Sequence, residues 1–115
     1  MTDIIDKIFK FEKHTIKVYG TSENPWFCAK DIALALGYTK TTNATNHIKD
    51  PNDKKPLSEI IMVPDSGTIT YQEKTSIYIN ESGLYCMIFG SQLPDAIRFK
   101  NWVTKEVLPS IRKHG

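Results

Sequence analysis

The 115-residue sequence contains little cysteine and no recognisable metal-ligand spacing. Cys28 and Cys86 lie far apart, and the three histidines, His14, His47 and His114, are equally scattered. Neither a disulfide framework nor a metal site is indicated by such spacing. We interpret both cysteines as small, buried apolar residues, and we expect no cofactor.

Long apolar runs are also absent. Stretches such as residues 85–89 span only a few residues, whereas a membrane helix needs about 20. Residues 1–10 alternate charged residues with isoleucine and lack the apolar centre of a signal peptide. We therefore expect an intracellular protein with no membrane partner.

The common catalytic motifs are missing. The sequence has no Gly-x-Gly-x-x-Gly, no Walker loop, no Gly-x-Ser-x-Gly and no His-Glu-x-x-His. Hydrophobic residues nevertheless make up 40% of the chain, which is enough to build a core. The sequence predicts one domain over residues 1–115 that is not an enzyme.

Positive charge is concentrated at the end of the chain. Residues 98–115 hold five basic residues against one acidic residue, a net charge of +4. The remaining 10 basic and 12 acidic residues give −2, so the whole-chain value of +2 hides this asymmetry. Such a basic segment on a nearly neutral body indicates an anionic partner.

The apolar pattern predicts an α+β fold, in which small antiparallel strands pack with three to four helices. In the first half we expect strands at 8–12, 15–19 and 26–28, a Lys13-His14 turn, helices at 29–36 and at about 42–49, and a loop at 50–56. A Thr or Asn is expected to cap the helix at 42–49. In the second half we expect strands at 60–63, 68–71 and 75–79, a helix at 81–89 capped by Asn80, and a helix from Pro94 to about Lys113 kinked at Pro109.

The last predicted helix has two contrasting faces. Its apolar arc comprises Ala96, Phe99, Val103, Val107 and Ile111, extended by Ile97 and Leu108. Arg98, Lys105 and Arg112 stand seven residues apart, so they line the opposite face together with Asn101. This cationic stripe, with Lys113 beyond it, suits contact with phosphates, although an ordinary solvated face has the same pattern. Lys100 projects towards the apolar side and is expected to snorkel.

A second polar group follows Gly37. A helix, a short connector containing glycine and a second short helix together resemble a helix-turn-helix, whose second helix contacts bases. The side chains expected there are Thr41, Thr42, Asn43, Asn46 and His47, flanked by Lys40 and Lys49. Asparagine can bond adenine in bidentate fashion, although polar residues on a short helix often simply face solvent. A turn at 64–67 could form a wing beside this element, but its only charge is Asp65.

Three stretches resemble the amino-terminal domain of the BRO family, named for the baculovirus repeated open reading frames. The first, at 26–38, reads Trp-Phe-Cys-Ala-Lys-Asp-Ile-Ala and then Ala-Leu-Gly-Tyr after Leu34. The second, at 79–91, reads Ile-Asn-Glu-Ser-Gly-Leu-Tyr and ends in Ile-Phe-Gly-Ser. The third joins Leu-Pro at 93–94, Phe-Lys-Asn-Trp-Val at 99–103 and Glu-Val-Leu-Pro-Ser-Ile-Arg-Lys at 106–113.

The resemblance implies a DNA-binding domain of large DNA viruses, phages and prophages that acts in transcriptional regulation or as an antirepressor. The implied partner is double-stranded DNA, and the alternative is a protein-interaction module that captures a host or phage repressor. The implied location is the host cytoplasm or nucleus for a virus, and the bacterial cytoplasm for a phage. The family brings no catalytic residues, and homo-oligomerisation is left open.

Overall fold

The computed structural model describes residues 4–60, 70–91 and 94–113, and for residues 4–7, 71, 95 and 113 the description covers the backbone alone. The strands are β1 (Ile4–Phe11), β2 (His14–Thr21), β3 (Pro25–Cys28), β4 (Lys54–Pro56) and β5 (Ile77–Ile79). The helices are α1 (Ala29–Ala35), α2 (Thr41–Thr45), α3 (Tyr71–Thr75), α4 (Glu81–Gly90), α5 (Asp95–Trp102) and α6 (Leu108–Lys113). This arrangement confirms the predicted α+β class.

Strands β1 and β2 form the predicted hairpin, but its turn lies one residue earlier than expected. Phe11 pairs with His14, so the two loop residues are Glu12 and Lys13 rather than Lys13 and His14. Glu12 adopts a left-handed backbone with φ of 55° to close the loop. Phe11 is thus the last residue of β1, and its side chain is buried.

All strand pairs of the described sheet are antiparallel, in the order β1-β2-β3-β5-β4. β3 fulfils the prediction of a strand at 26–28. The loop expected at 50–56 instead holds a 3₁₀ turn (Pro51–Asp53) followed by β4. Among the described strands, β4 lies at the edge of the sheet and pairs with β5 alone, so short-range composition does not reveal it.

Residues 70–76 differ from the prediction, because they hold the short helix α3 where strand residues were expected. Residues 61–69 lie outside the described part of the chain, and with them most of the strands expected at 60–63 and 68–71 and the turn at 64–67. Of the flanking residues, Thr70 caps α3 by accepting a hydrogen bond from the Glu73 N–H at 3.2 Å. The strand expected at 75–79 starts later, at Ile77, because Thr75 ends this helix.

The main core lies between one face of the sheet and the helices. Ile16, Val18, Phe27 and Ile79 come from the strands, and Ile32 is among the helical residues that they meet. A smaller cluster on the opposite face of the sheet contains Cys28, Leu57 and Tyr78. Cys28 is buried as predicted, and burial raises the pKa of its thiol; Cys86 is only half-buried.

The final helix is interrupted at the place where a kink was predicted. Between α5 and α6, Val103–Val107 forms a π-helical turn in which the Leu108 N–H bonds the Val103 carbonyl. Pro109 lacks an N–H and crowds the carbonyl of Lys105, so the wider turn just before it accommodates the proline. The helix begins at Asp95, one residue later than predicted, so Pro94 occupies the cap position and not the first helical position.

Asn80 is the predicted cap of α4 and also ties this helix to the 3₁₀ turn. Its side-chain oxygen accepts from the Gly83 N–H at 2.9 Å, and its amide nitrogen donates to the Asp53 carboxylate at 2.9 Å. We expect Asn80→Ala to lower the free energy of unfolding by about 1–2 kcal/mol, measured by equilibrium urea denaturation. Asn80→Ser keeps a cap acceptor and should recover most of this loss. An equal loss in both variants would contradict the capping role.

Candidate nucleic-acid interface

The connector between α1 and α2 is fixed by glycine geometry and by contacts with α4. Gly37 has φ of 88°, the left-handed conformation that commonly ends a helix. The Tyr38 hydroxyl donates to the Met87 carbonyl of α4 at 3.1 Å. Burial raises the pKa of the Tyr38 phenol, which extends to higher pH the range in which the hydroxyl is a donor. The start of α2 is therefore held at a defined place beside α4.

The start of α1 is held to the sheet by an ion pair. Asp31 accepts from both the backbone N–H and the Nζ of Lys17, at 3.0 and 2.9 Å. Burial is the largest single effect and lowers the pKa of Lys17, but the bond to Asp31 and the electrostatic interactions with Asp31, Cys28 and Tyr19 together outweigh it and leave the pKa raised. The pair fixes α1 on β2, and the orientation of α2 depends on α1.

Two apolar side chains anchor the short helix α2. Ala44 and, just beyond the helix, Ile48 are buried in the main core. On the neighbouring side the His47 ring lies against Gly90, so close that an added Cβ at Gly90 would overlap it. Gly90 thus permits α2 to approach α4, a role that a lone glycine in the sequence does not disclose.

The polar residues predicted on this helix are directed to solvent. Lys40, Thr42, Asn43, Asn46 and Lys49 are all exposed. Within the described residues, the side chains of Thr42, Asn43 and Asn46 have no hydrogen-bond partner, whereas the Lys49 Nζ donates to the Asn46 carbonyl at 3.0 Å. These polar groups are therefore available to an external ligand.

The bounds of α2 differ from the prediction. The helix covers Thr41–Thr45 and does not continue to Lys49. Lys40 occupies the cap position and makes no side-chain cap bond, so the expected Thr or Asn cap is wrong. The tertiary anchors, Ala44 and Ile48, set the position of this segment in place of a local cap.

On the final helix, two of the three predicted stripe cations are engaged within the molecule. Arg98 pairs with Glu12 at the hairpin turn at 2.8 Å, and Arg112 pairs with Glu81 at the start of α4 at 2.7 Å. Both arginines are more than half exposed, so solvent reaches these pairs. Sequence reasoning missed both carboxylates, because each comes from a distant element and only the folded chain brings them together.

The remaining residues of the stripe are exposed. Asn101 and Lys105 both face solvent, and Lys105 has no ion-pair partner within the described chain. The side chain of Lys113 lies outside the described residues, as does the suggested wing at 64–67. Trp102 is half-buried and packs on Phe11, with ring centroids 5.2 Å apart.

The apolar arc of this helix is confirmed with one exception. Ala96, Phe99, Val103, Val107, Leu108 and Ile111 are buried, but Ile97 is 67% exposed. Ile97 stands next to the buried Ala96 and was included because of its apolar character alone. Lys100 is exposed, and its Nζ lies 6.0 Å from the centre of the Phe89 ring.

The two candidate surfaces are connected through α4. This helix packs against both α2 and α5. His47 lies near its end at Gly90, while Arg112 pairs with Glu81 at its beginning. The structure thus defines a small α+β domain with an exposed polar helix and a partly ion-paired cationic helix arranged around one central helix.

Comparison with known proteins gives the family. The model of the BRO family, N-terminal domain, matches residues 15–109. The chain therefore belongs to this family, as the resemblance of its three motifs indicated. No solved structure matches the chain significantly.

The relatives include viral and bacterial proteins. A Bro-N domain-containing protein of Invertebrate iridescent virus 6 is 39% identical over 90% of this chain and 27% of its own length. An uncharacterized Bro-N domain-containing protein of Autographa californica nuclear polyhedrosis virus is 29% identical over 90% of this chain and 35% of its own length. An uncharacterized protein of Haemophilus influenzae is 38% identical over 78% of this chain and 41% of its own length. The chain spans less than half the length of each of these relatives.

In the described part of the chain, no helix combines the length and the apolar character that crossing a membrane requires.

Proposed function

We propose that this domain binds double-stranded DNA, without catalysing a reaction, and acts in viral or phage gene regulation. The observation that carries the proposal is the polar side of α2. Thr42, Asn43 and Asn46 face solvent without hydrogen-bond partners in the described chain, while Ala44 and Ile48 hold the helix in the core. Exposed polar groups on a firmly anchored helix suit recognition of an external hydrogen-bonding surface.

The arrangement of α1 and α2 supports base contact in particular. In a helix-turn-helix, the second helix enters the major groove and its first residues meet base edges. Here α2 follows the left-handed Gly37, and Asn43 is the third of its five residues. An asparagine amide can donate and accept towards adenine at the same time, which an ordinary phosphate contact does not require.

The final helix supports contact with phosphates. Exposed ion pairs such as Arg98–Glu12 contribute only about 0–1 kcal/mol, so exchanging a carboxylate for a DNA phosphate costs little. Lys105 is exposed and has no ion-pair partner in the described chain, so it can contact a phosphate without giving up a carboxylate. Phosphate contacts fix the position of a protein on the duplex and provide affinity that does not depend on sequence.

Salt dependence tests the proposal. If Arg98, Lys105 and Arg112, with Lys100 or Lys113, contact phosphates, about four to five contacts form and the slope of log affinity against log salt is about −4. The measurement is fluorescence anisotropy of a labelled random duplex from low to physiological salt. A chain that does not bind the duplex at low salt would contradict the proposal and favour the protein-interaction alternative.

A pair of lysine variants controls this experiment. Lys105→Ala should reduce the magnitude of the slope by about one and weaken binding to every duplex equally. Lys10→Ala is the matched control, since Lys10 is exposed on β1 and alternates with Phe9 and Phe11, which face the helix-covered core. An equal effect of both variants would indicate general attraction by net charge in place of a defined phosphate contact.

A further inference from the structure

An apolar groove lies between the end of α4 and the start of α5. Its volume is about 470 Å³, and it is open to solvent. The apolar part of its lining consists of Ile88, Phe89, Pro94, Ala96 and Ile97, and Lys100 stands beside them. Of the residues considered for DNA contact above, the groove contains only Lys100, so its apolar lining requires a separate explanation.

Two side chains of this groove are unusually exposed for their size. Phe89 is 71% exposed and Ile97 is 67% exposed, whereas the other apolar residues of their helices are buried or half-buried. Phe89 is supported from one side by Tyr85, with ring centroids 6.2 Å apart and nearly parallel rings. Large apolar side chains gathered in one open groove are typical of a surface that another molecule covers.

The charge in the groove indicates the chemistry of that molecule. The Lys100 Nζ lies 6.0 Å from the centre of the Phe89 ring, and Lys100 has no carboxylate partner within the described chain. An occupant is therefore expected to carry a carboxylate beside its apolar residues. A second copy of the same groove would bring another ammonium to this position, which disfavours self-association across it.

We propose that this groove binds an amphipathic helical segment of a partner protein, with a carboxylate of the segment paired to Lys100. A helix suits the site because its residues at i, i+3 or i+4 and i+7 form one apolar ridge that fits a groove between helices. The ridge covers Phe89 and Ile97, and an Asp or Glu at the edge of the ridge meets the ammonium. This inference does not depend on DNA binding.

Selection from a random peptide library tests the proposal. The whole chain is used to select displayed peptides of about 16 residues, which is long enough for four helical turns. Enriched sequences should share helically spaced apolar residues and at least one Asp or Glu, and they are then synthesised for binding measurements. Failure to enrich any sequence, or enrichment without acidic residues, would overturn the proposal.

Variants of the chain locate the binding of the synthesised peptides. Phe89→Ser and Ile97→Ser should each weaken it at least about tenfold. Lys100→Glu should weaken the binding of acidic peptides and strengthen the binding of peptides in which lysine replaces the Asp or Glu. Ile8→Ser is the matched control, because Ile8 is 68% exposed and lies on β1, outside the groove. Equal binding by the groove variants and the parent chain would refute the site.

Two further measurements distinguish other occupants. Sedimentation of the parent chain and of Phe89→Ser shows whether a second copy fills the groove. Duplex binding by Ile97→Ser shows whether DNA does. Because these side chains are exposed, circular dichroism should show that the variants remain folded. If the parent chain self-associates and Phe89→Ser does not, the occupant of the groove is a second copy and the proposal is wrong. If Ile97→Ser loses DNA binding, the occupant is DNA and the proposal is equally wrong.

Discussion

Replacing Phe99 with alanine is expected to lower the free energy of unfolding by about 3–5 kcal/mol. The Phe99 side chain is fully buried and meets the Phe11 ring edge-on, with centroids 5.1 Å apart. Its removal leaves a cavity between α5 and the hairpin that neighbouring side chains can fill only in part. For a domain of ordinary stability this is a large part of the total, and equilibrium urea denaturation should detect it easily.

Two substitutions on the same helix serve as controls for Phe99→Ala. Trp102→Ala should cost less, because the indole ring is only half-buried. Ile97→Ala should change stability by no more than about 0.5 kcal/mol, since that side chain is mostly exposed. Equal and severe losses at Phe99 and Trp102 would mean that the helix is buried on both sides, with no free cationic stripe.

Replacing Asn43 or Asn46 with alanine is expected to weaken binding to a preferred duplex by about 1–3 kcal/mol. The preferred duplex is first obtained by selection from random DNA. Because both side chains are exposed and lack partners in the described chain, their loss should leave the stability of the fold nearly unchanged. Binding to scrambled DNA should change little, since phosphate contacts provide that affinity.

The control for the asparagine variants is Asn52→Ala. Asn52 is also exposed, but it lies in the 3₁₀ turn before β4, outside both candidate surfaces. Its replacement should leave both affinities unchanged. A uniform loss on preferred and scrambled duplexes from the α2 variants would indicate backbone contact by this helix in place of base contact.

Elements with strong local signals could be predicted from the sequence. Asn80 precedes an apolar helical stripe, and it caps α4 as expected. Gly37 ends α1 in the left-handed conformation. The alternation of Ile16 and Val18 correctly gave the buried face of β2. In each case the physical cause acts within a few residues of the chain, so the pattern was sufficient.

Features that depend on distant partners could not be predicted. β4 exists through its ladder with β5, and α2 is positioned by burial of Ala44 and Ile48 in place of a cap. The ion pairs of Arg98 and Arg112 join elements far apart in the chain. The heptad spacing of the stripe therefore indicated an exposed cationic face correctly, but not the carboxylates that partly neutralise it.

The central claim is that the polar face of α2 contacts DNA. It is tested most directly by titrating the ¹⁵N-labelled chain with a duplex at low salt. Amide chemical shifts then report which backbone positions are near the DNA. The account predicts the largest changes at residues 41–49, with smaller changes along α5 and α6. Changes confined to the groove around Phe89 and Ile97, or no changes at saturating duplex, would contradict it.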